Sequence, residues 1–127
     1  MIKISVMYPF GRDVHFNHRY YRDVHMPLVK KRLGTYLLSY SIDKGLSGME
    51  PDSTPLYVGM CHLYCESVEA FQAGIAPHGE ELENDIANFT NALPVYQISE
   101  VVALEGGFIP SRADDAQTAR RSSRRTP

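Results

Sequence analysis

The period of the apolar residues changes along the chain in the order strand, helix, strand, strand, helix, strand, and this order limits the fold more than any other feature. Ile2, Ile4, Val6 and Tyr8 alternate with Lys3, Ser5 and Met7, the period-2 pattern of a strand. A turn cluster at 9–13, PFGRD, closes it. Residues 17–33 then read as a helix. Asn17 is a favourable N-cap, and Tyr21, Val24, Leu28 and Leu33 form an apolar stripe. Lys30, Lys31 and Arg32 suit the negative end of the helix dipole, and Gly34 is the stop. Pro27 conflicts with a regular helix, because it has no N–H and its ring clashes with the preceding turn. A kink is expected there, with the carbonyl of Asp23 freed.

A second strand follows, with Tyr36, Leu38, Tyr40 and Ile42 alternating with Leu37, Ser39, Ser41 and Asp43. After a loop of turn formers at 45–55, a third strand spans 56–65. Ser67 caps a second helix, which is expected to break at Ala76-Pro77 before continuing through HGEELENDIANF. The fourth strand is expected from Val95 to about Leu104. The order β-α-β-β-α-β predicts an α+β, ferredoxin-like domain with a four-stranded antiparallel sheet over residues 1–108. Residues 109–127, rich in Arg and Ser and without a hydrophobic period, read as a disordered tail.

At 127 residues the chain has room for one domain, and its length needs no disulfide or structural metal to fold. The formal charge of -2 argues against a general nucleic-acid binder, although residues 110–127 carry +3 and the remainder -5. Short apolar runs exclude a membrane-spanning helix, and the N-terminus reads as a strand without a secretory signal. On one strand Cys61 and Cys65 would lie about 13 Å apart, too far for a disulfide. A cytoplasmic location is the expectation.

In this fold the helices cover one face of the sheet and leave the other bare. One alternating set of strand residues is strongly apolar, and the other mixes Ser5, Met7, Leu37, Ser39 and Ser41 with few charges. Such a mixture suits a semi-polar interior better than open water. Two sheets packed face to face would hide it, so a homodimer enclosing a cavity is expected. Which set faces the helices is open at this level, since a slip of one residue inverts the assignment.

The segments YYRDVHMPLVKKRLG, HLYCESVEAF and PVYQISEVV resemble the EthD family. The most specific piece is Tyr20-Tyr21 followed by His25-Met26-Pro27-Leu28, supported by Pro77-His78 and by the run Ile98-Ser99-Glu100-Val101. The resemblance implies a dimeric α/β barrel over roughly residues 1–105. It extends to a superfamily of isomerases, lyases, cyclases, monooxygenases and haem-handling proteins, many of them cofactor-free.

His25 is the first candidate for chemistry, because an imidazole exchanges protons near neutral pH and this one precedes the Pro27 kink. His62, among Val58, Met60 and Tyr64 on one strand face, is a second proton shuttle if that face meets the cavity. Tyr21 is the third catalytic candidate, as a hydroxyl that orients a substrate or stabilises an oxyanion. Tyr8, Tyr40, Tyr64 and Met60 are candidates to line the cavity. His15 and His18 form an H-x-x-H, but His18 and His25 stand two turns apart, about 10 Å, and cannot hold one ion. Arg22, Asp23, Glu80, Glu81 and Glu83 read as solvated. A P-loop, a C-x-x-C pair, a glycine-rich nucleotide motif and a Ser-His-Asp order are all missing from the sequence. The expectation is a cofactor-independent proton-transfer enzyme acting on a small apolar or aromatic metabolite. A ligand-binding or haem-handling dimer, or a cofactor-free monooxygenase, is the alternative.

Overall fold

Alternation in the first strand, β1 (Ile2–Pro9), decides how the sheet packs. Ile4 and Tyr8 are buried and Val6 is half-buried. All three meet helical side chains, whereas Ser5 and Met7 stand on the other face. The computed structural model describes residues 1–107, so the segment expected to be a tail lies outside the described residues.

Strands β2 (Ser39–Lys44), β3 (Tyr57–Cys65) and β4 (Val95–Glu100) complete a four-stranded sheet of order β2-β3-β1-β4. Every neighbouring pair is antiparallel. Strands β1 and β2 therefore run parallel to each other with β3 between them, and the first helical arm crosses over. This is the split βαβ arrangement expected of a ferredoxin-like domain. Register settles the faces. Val6 pairs with Cys61 and Tyr96, and Tyr40 with Leu63, on the helix side. Ser5 and Ser41 both pair with His62 on the open side.

The first arm begins at α1 (His18–Tyr20), where the Asn17 side chain accepts the N–H of Tyr20 at 3.0 Å. It continues through a π-helical turn (Tyr21–His25) into α2 (Met26–Leu33). In that turn the N–H of Met26 reaches back to the carbonyl of Tyr21. Pro27 falls at the start of α2, where a missing N–H is tolerated. The irregularity expected at Pro27 thus takes the form of a widened turn just before it, a feature common at functional sites. The extra residue rotates the buried stripe. Val24, expected to be inside, is 46% exposed, and the buried residues are Tyr21, His25, Met26, Val29 and Leu33.

Gly34 takes a positive φ of 57° and ends α2, as its position predicts. A 3-10 turn (Gly34–Tyr36) follows, so the second strand starts at Ser39 and not at Tyr36. Helix α3 (Val68–Ile75) presses on that turn, and a Cβ at Gly74 would stand 2.9 Å from Cβ of Tyr36. Ser67 caps α3 by accepting the N–H of Ala70 at 3.0 Å. The chain breaks at Pro77 as expected and resumes as α4 (Gly79–Asp85) and a 3-10 turn (Ile86–Asn88). Strand β4 stops at Glu100, short of the expected Leu104. Among the described residues no helix is long and apolar enough to cross a membrane.

Tyr8, Phe16, Tyr21 and Phe89 interlock edge to face between sheet and arms, with ring centroids 4.9–5.7 Å apart. Cys61 and Cys65 are both buried and free.

Candidate active site

The π turn brings His25 inward, and the end of α4 brings Asp85 to meet it. The His25 Nδ1 lies 2.8 Å from Asp85 Oδ2. The other carboxylate oxygen accepts from the Tyr20 hydroxyl at 2.8 Å and from Asn88 Nδ2 at 2.9 Å. Burial alone would raise the pKa of Asp85. The hydrogen bonds from His25, Asn88 and Tyr20 outweigh it and hold the carboxyl below its ordinary range. Burial also pushes the pKa of His25 below the ordinary histidine value, against the opposing pull of Asp85. At neutral pH the pair is therefore a neutral imidazole beside an ionised carboxylate. An ionised carboxylate can only accept, so the ring proton belongs on Nδ1. Nε2 keeps its lone pair and has no hydrogen-bond partner among the described residues.

The ring is held on its faces as well. Tyr21 lies 5.5 Å away and nearly parallel, and Phe89 lies 4.7 Å away. His25 forms part of the wall of a cavity of about 330 Å³ between the sheet and the two arms. Ile4, Val6, Met26, Val29, Leu63 and Leu82 supply much of its apolar surface. The polar groups are those of Tyr8, Tyr21, His25, Cys61, Glu83 and Tyr96. Burial raises the phenols of Tyr8 and Tyr21 above their ordinary pKa and pushes the Cys61 thiol up to about 12. All three are uncharged at neutral pH. The Tyr21 hydroxyl is buried with no hydrogen-bond partner. The Cys61 thiol and the Tyr8 hydroxyl are its polar neighbours, at the margin of hydrogen-bonding reach, and they enclose it.

Three residues picked out by the sequence, His25, Tyr21 and Tyr8, thus converge on one cavity. Others do not. His62 stands on the opposite face of the sheet, with Nδ1 2.8 Å from Ser5 Oγ and Nε2 3.1 Å from Asp43 Oδ2. The sheet separates it from His25, so the two cannot act on one ligand. Met60 and Tyr64 share that open face by register, and Tyr40 lies on the helix face but outside the cavity wall. This cavity lies within one chain, between the sheet and the side chains of both arms. Asp85 is not among the residues that the sequence singles out; of the acidic residues of α4, only Glu80, Glu81 and Glu83 read as solvated there. Its spacing from Leu82 was the available signal, since i and i+3 share a helix face and Leu82 is buried. Arg22 and Asp23 pair with each other in solvent at 2.7 Å. Glu81 pairs with Arg32 at 2.8 Å and ties α4 to α2. Among the described residues no group of three or more His, Cys, Asp or Glu side chains is placed to hold a metal ion.

The sequence model of the EthD domain matches residues 13–92, which hold both arms, β2, β3 and the His25–Asp85 pair. The chain belongs to the EthD family. An EthD-like protein of known crystal structure from Ralstonia eutropha JMP134 is 46% identical, with a TM-score of 0.80 over 84% of this chain and 96% of that one. An ethyl tert-butyl ether D family protein from Bacillus halodurans C-125 is 20% identical, with a TM-score of 0.60 over 79% and 97% of the two chains. HapK from Hahella chejuensis, 9% identical, has a TM-score of 0.51 over 87% and 100%. These last two likenesses concern the fold alone. No curated protein matches the chain.

Proposed function

We propose that this EthD-family domain catalyses proton transfer at carbon on a small, largely apolar molecule, with His25 as the general base and acid. The observation that carries the reading is the His25 imidazole in the wall of a largely apolar cavity, tied through Nδ1 to Asp85 and with no hydrogen-bond partner at Nε2 among the described residues. Nε2 takes a proton from a carbon next to an activating group, the imidazolium forms against the Asp85 carboxylate, and the proton returns to the same or a neighbouring atom. Burial strengthens the imidazolium–carboxylate interaction at the moment it forms. Isomerisation, cyclisation and dehydration all share this step. Deuterium exchange at the carbons adjacent to the carbonyl of 2-tetralone in D2O, followed by NMR, tests it. The protein is expected to accelerate exchange, and His25→Ala to lose roughly 10²–10⁴-fold of the acceleration. Undiminished exchange in His25→Ala contradicts the role.

We also infer that a second copy of the chain covers the open sheet face. His62 already has its partners there in Ser5 and Asp43, so the face can be buried without orphaning that ring. Met7, Met60 and Val95 supply apolar surface beside it. A native mass twice that of the chain is expected, and a persistent monomer contradicts the inference.

A further inference from the structure

The second arm lines the cavity with one side chain missing. Phe71 and Ile75 of α3 stand in the wall, as do Leu82 and Glu83 of α4 and Ile86 just after it. Gly79 is in the same wall. It precedes Leu82, Glu83 and Ile86 by three, four and seven positions, the spacing of one helix face. A side chain at this position would therefore point where those three point. We propose that Gly79 sets the ligand specificity of the cavity: the space left by its absent side chain is a subsite for an apolar extension of the ligand, such as an alkyl chain. This rests on the cavity being the substrate site of the proposed reaction, but the fit of the ligand is independent of the chemistry at His25.

Neither conformation nor packing requires glycine here. Gly34 takes a positive φ of 57°, and a Cβ at Gly74 would collide with Tyr36. Gly79 has no positive φ, and a Cβ built on it meets nothing within 4 Å. Glycine is also a poor helix former, yet it stands as the first residue of α4. What the missing side chain provides is room. Ile75 before it and Leu82 after it bound that room with hydrocarbon.

A ligand can reach the space, and its size matters there. His25 is 5% exposed and Tyr96 is 57% exposed, and both belong to the wall, so the cavity runs from the core to the surface. At about 330 Å³ it lies at the low end of ligand sites, which run from roughly 300 to 1,000 Å³. In so small a cavity the volume of one side chain decides which ligands fit. Each CH₂ buried in it tightens binding by up to roughly fourfold.

The test uses acetophenone and hexanophenone, neutral aryl ketones that differ only in the length of the alkyl chain. Binding to wild-type protein, Gly79→Ala and Gly79→Leu is read by ligand-observed NMR. Wild-type protein is expected to bind hexanophenone at least about tenfold more tightly than acetophenone. Gly79→Leu is expected to bind hexanophenone at least about tenfold more weakly than the wild type does, and acetophenone within about threefold of it. Gly79→Ala adds one methyl group and is expected to weaken hexanophenone by about fourfold. It should melt no lower than the wild type, since alanine is the better helix former and its Cβ has space. A wild-type protein without the preference for hexanophenone, or a Gly79→Leu protein that keeps it, overturns the proposal. If the leucine variant does not fold, wild-type binding of hexanophenone by Gly79→Ala overturns it. The same samples in D2O separate this proposal from the proton transfer. A chain-length preference controlled at Gly79, without exchange at the carbon next to the carbonyl, supports the subsite and defeats the proton transfer. Exchange with a preference indifferent to Gly79 does the reverse.

Discussion

Asparagine in place of Asp85 is expected to lower the rate of 2-tetralone exchange at pH 7 by roughly 10²–10⁴-fold, with little change in ketone affinity. The carboxylate can only accept, and so fixes the His25 proton on Nδ1. An asparagine can turn its NH₂ toward Nδ1, which then accepts, and the ring proton moves to Nε2. The base is lost although every ring stays in place. The same change moves the acid limb of the pH profile. In the wild type, burial holds the His25 pKa below 6.5 and Asp85 works against that shift. Activity is therefore complete at neutral pH and lost as the pH falls through the depressed value. Without the carboxylate, burial acts unopposed, so the limb moves to lower pH while the plateau drops. The pH dependence of kcat/KM for both proteins checks this. A plateau within twofold of the wild type, or a limb displaced upward, contradicts the assignment of Asp85.

Alanine in place of Phe89 is expected to cost about 3–5 kcal/mol of folding stability. Phe89 is 1% exposed and packs against Tyr8, Phe16, Tyr20, Tyr21 and His25 at centroid distances of 4.7–6.2 Å. It joins the sheet, the first arm and the end of the second in one contact set. A domain of this size is stable by about 5–15 kcal/mol, so the loss is a large share of the total. Water entering the vacated space should also lift the His25 pKa toward its ordinary value, because burial is the main cause of its depression. Urea unfolding followed by circular dichroism measures the first effect. A loss under about 1 kcal/mol would show that the aromatic cluster does not hold the arms together.

The elements legible in the sequence were those set by local chemistry. Alternation in β1, the caps at Asn17 and Ser67, the stop at Gly34 and the break at Pro77 each depend on a few neighbouring residues. The irregularity near Pro27 was legible too, but not its form. Whether a helix bends or admits a π turn depends on what its side chains pack against, and the difference moved Val24 out and His25 in. Which alternating set faces the helices is a tertiary choice. It separates His62 from His25, although both looked alike as histidines in apolar surroundings. Asp85 is 60 residues from His25, and no local pattern announces a pairing at that range.

As the proposed base, His25 is neutral, with its proton on Nδ1 and Nε2 free. A long-range ¹H–¹⁵N NMR spectrum of the histidine rings, titrated from pH 8 to pH 4, tests it most directly. The predicted result is a His25 ring in the Nδ1–H form at pH 7 that takes up its second proton only below pH 6.5. A ring already doubly protonated at pH 7, or one carrying its proton on Nε2, would contradict the account.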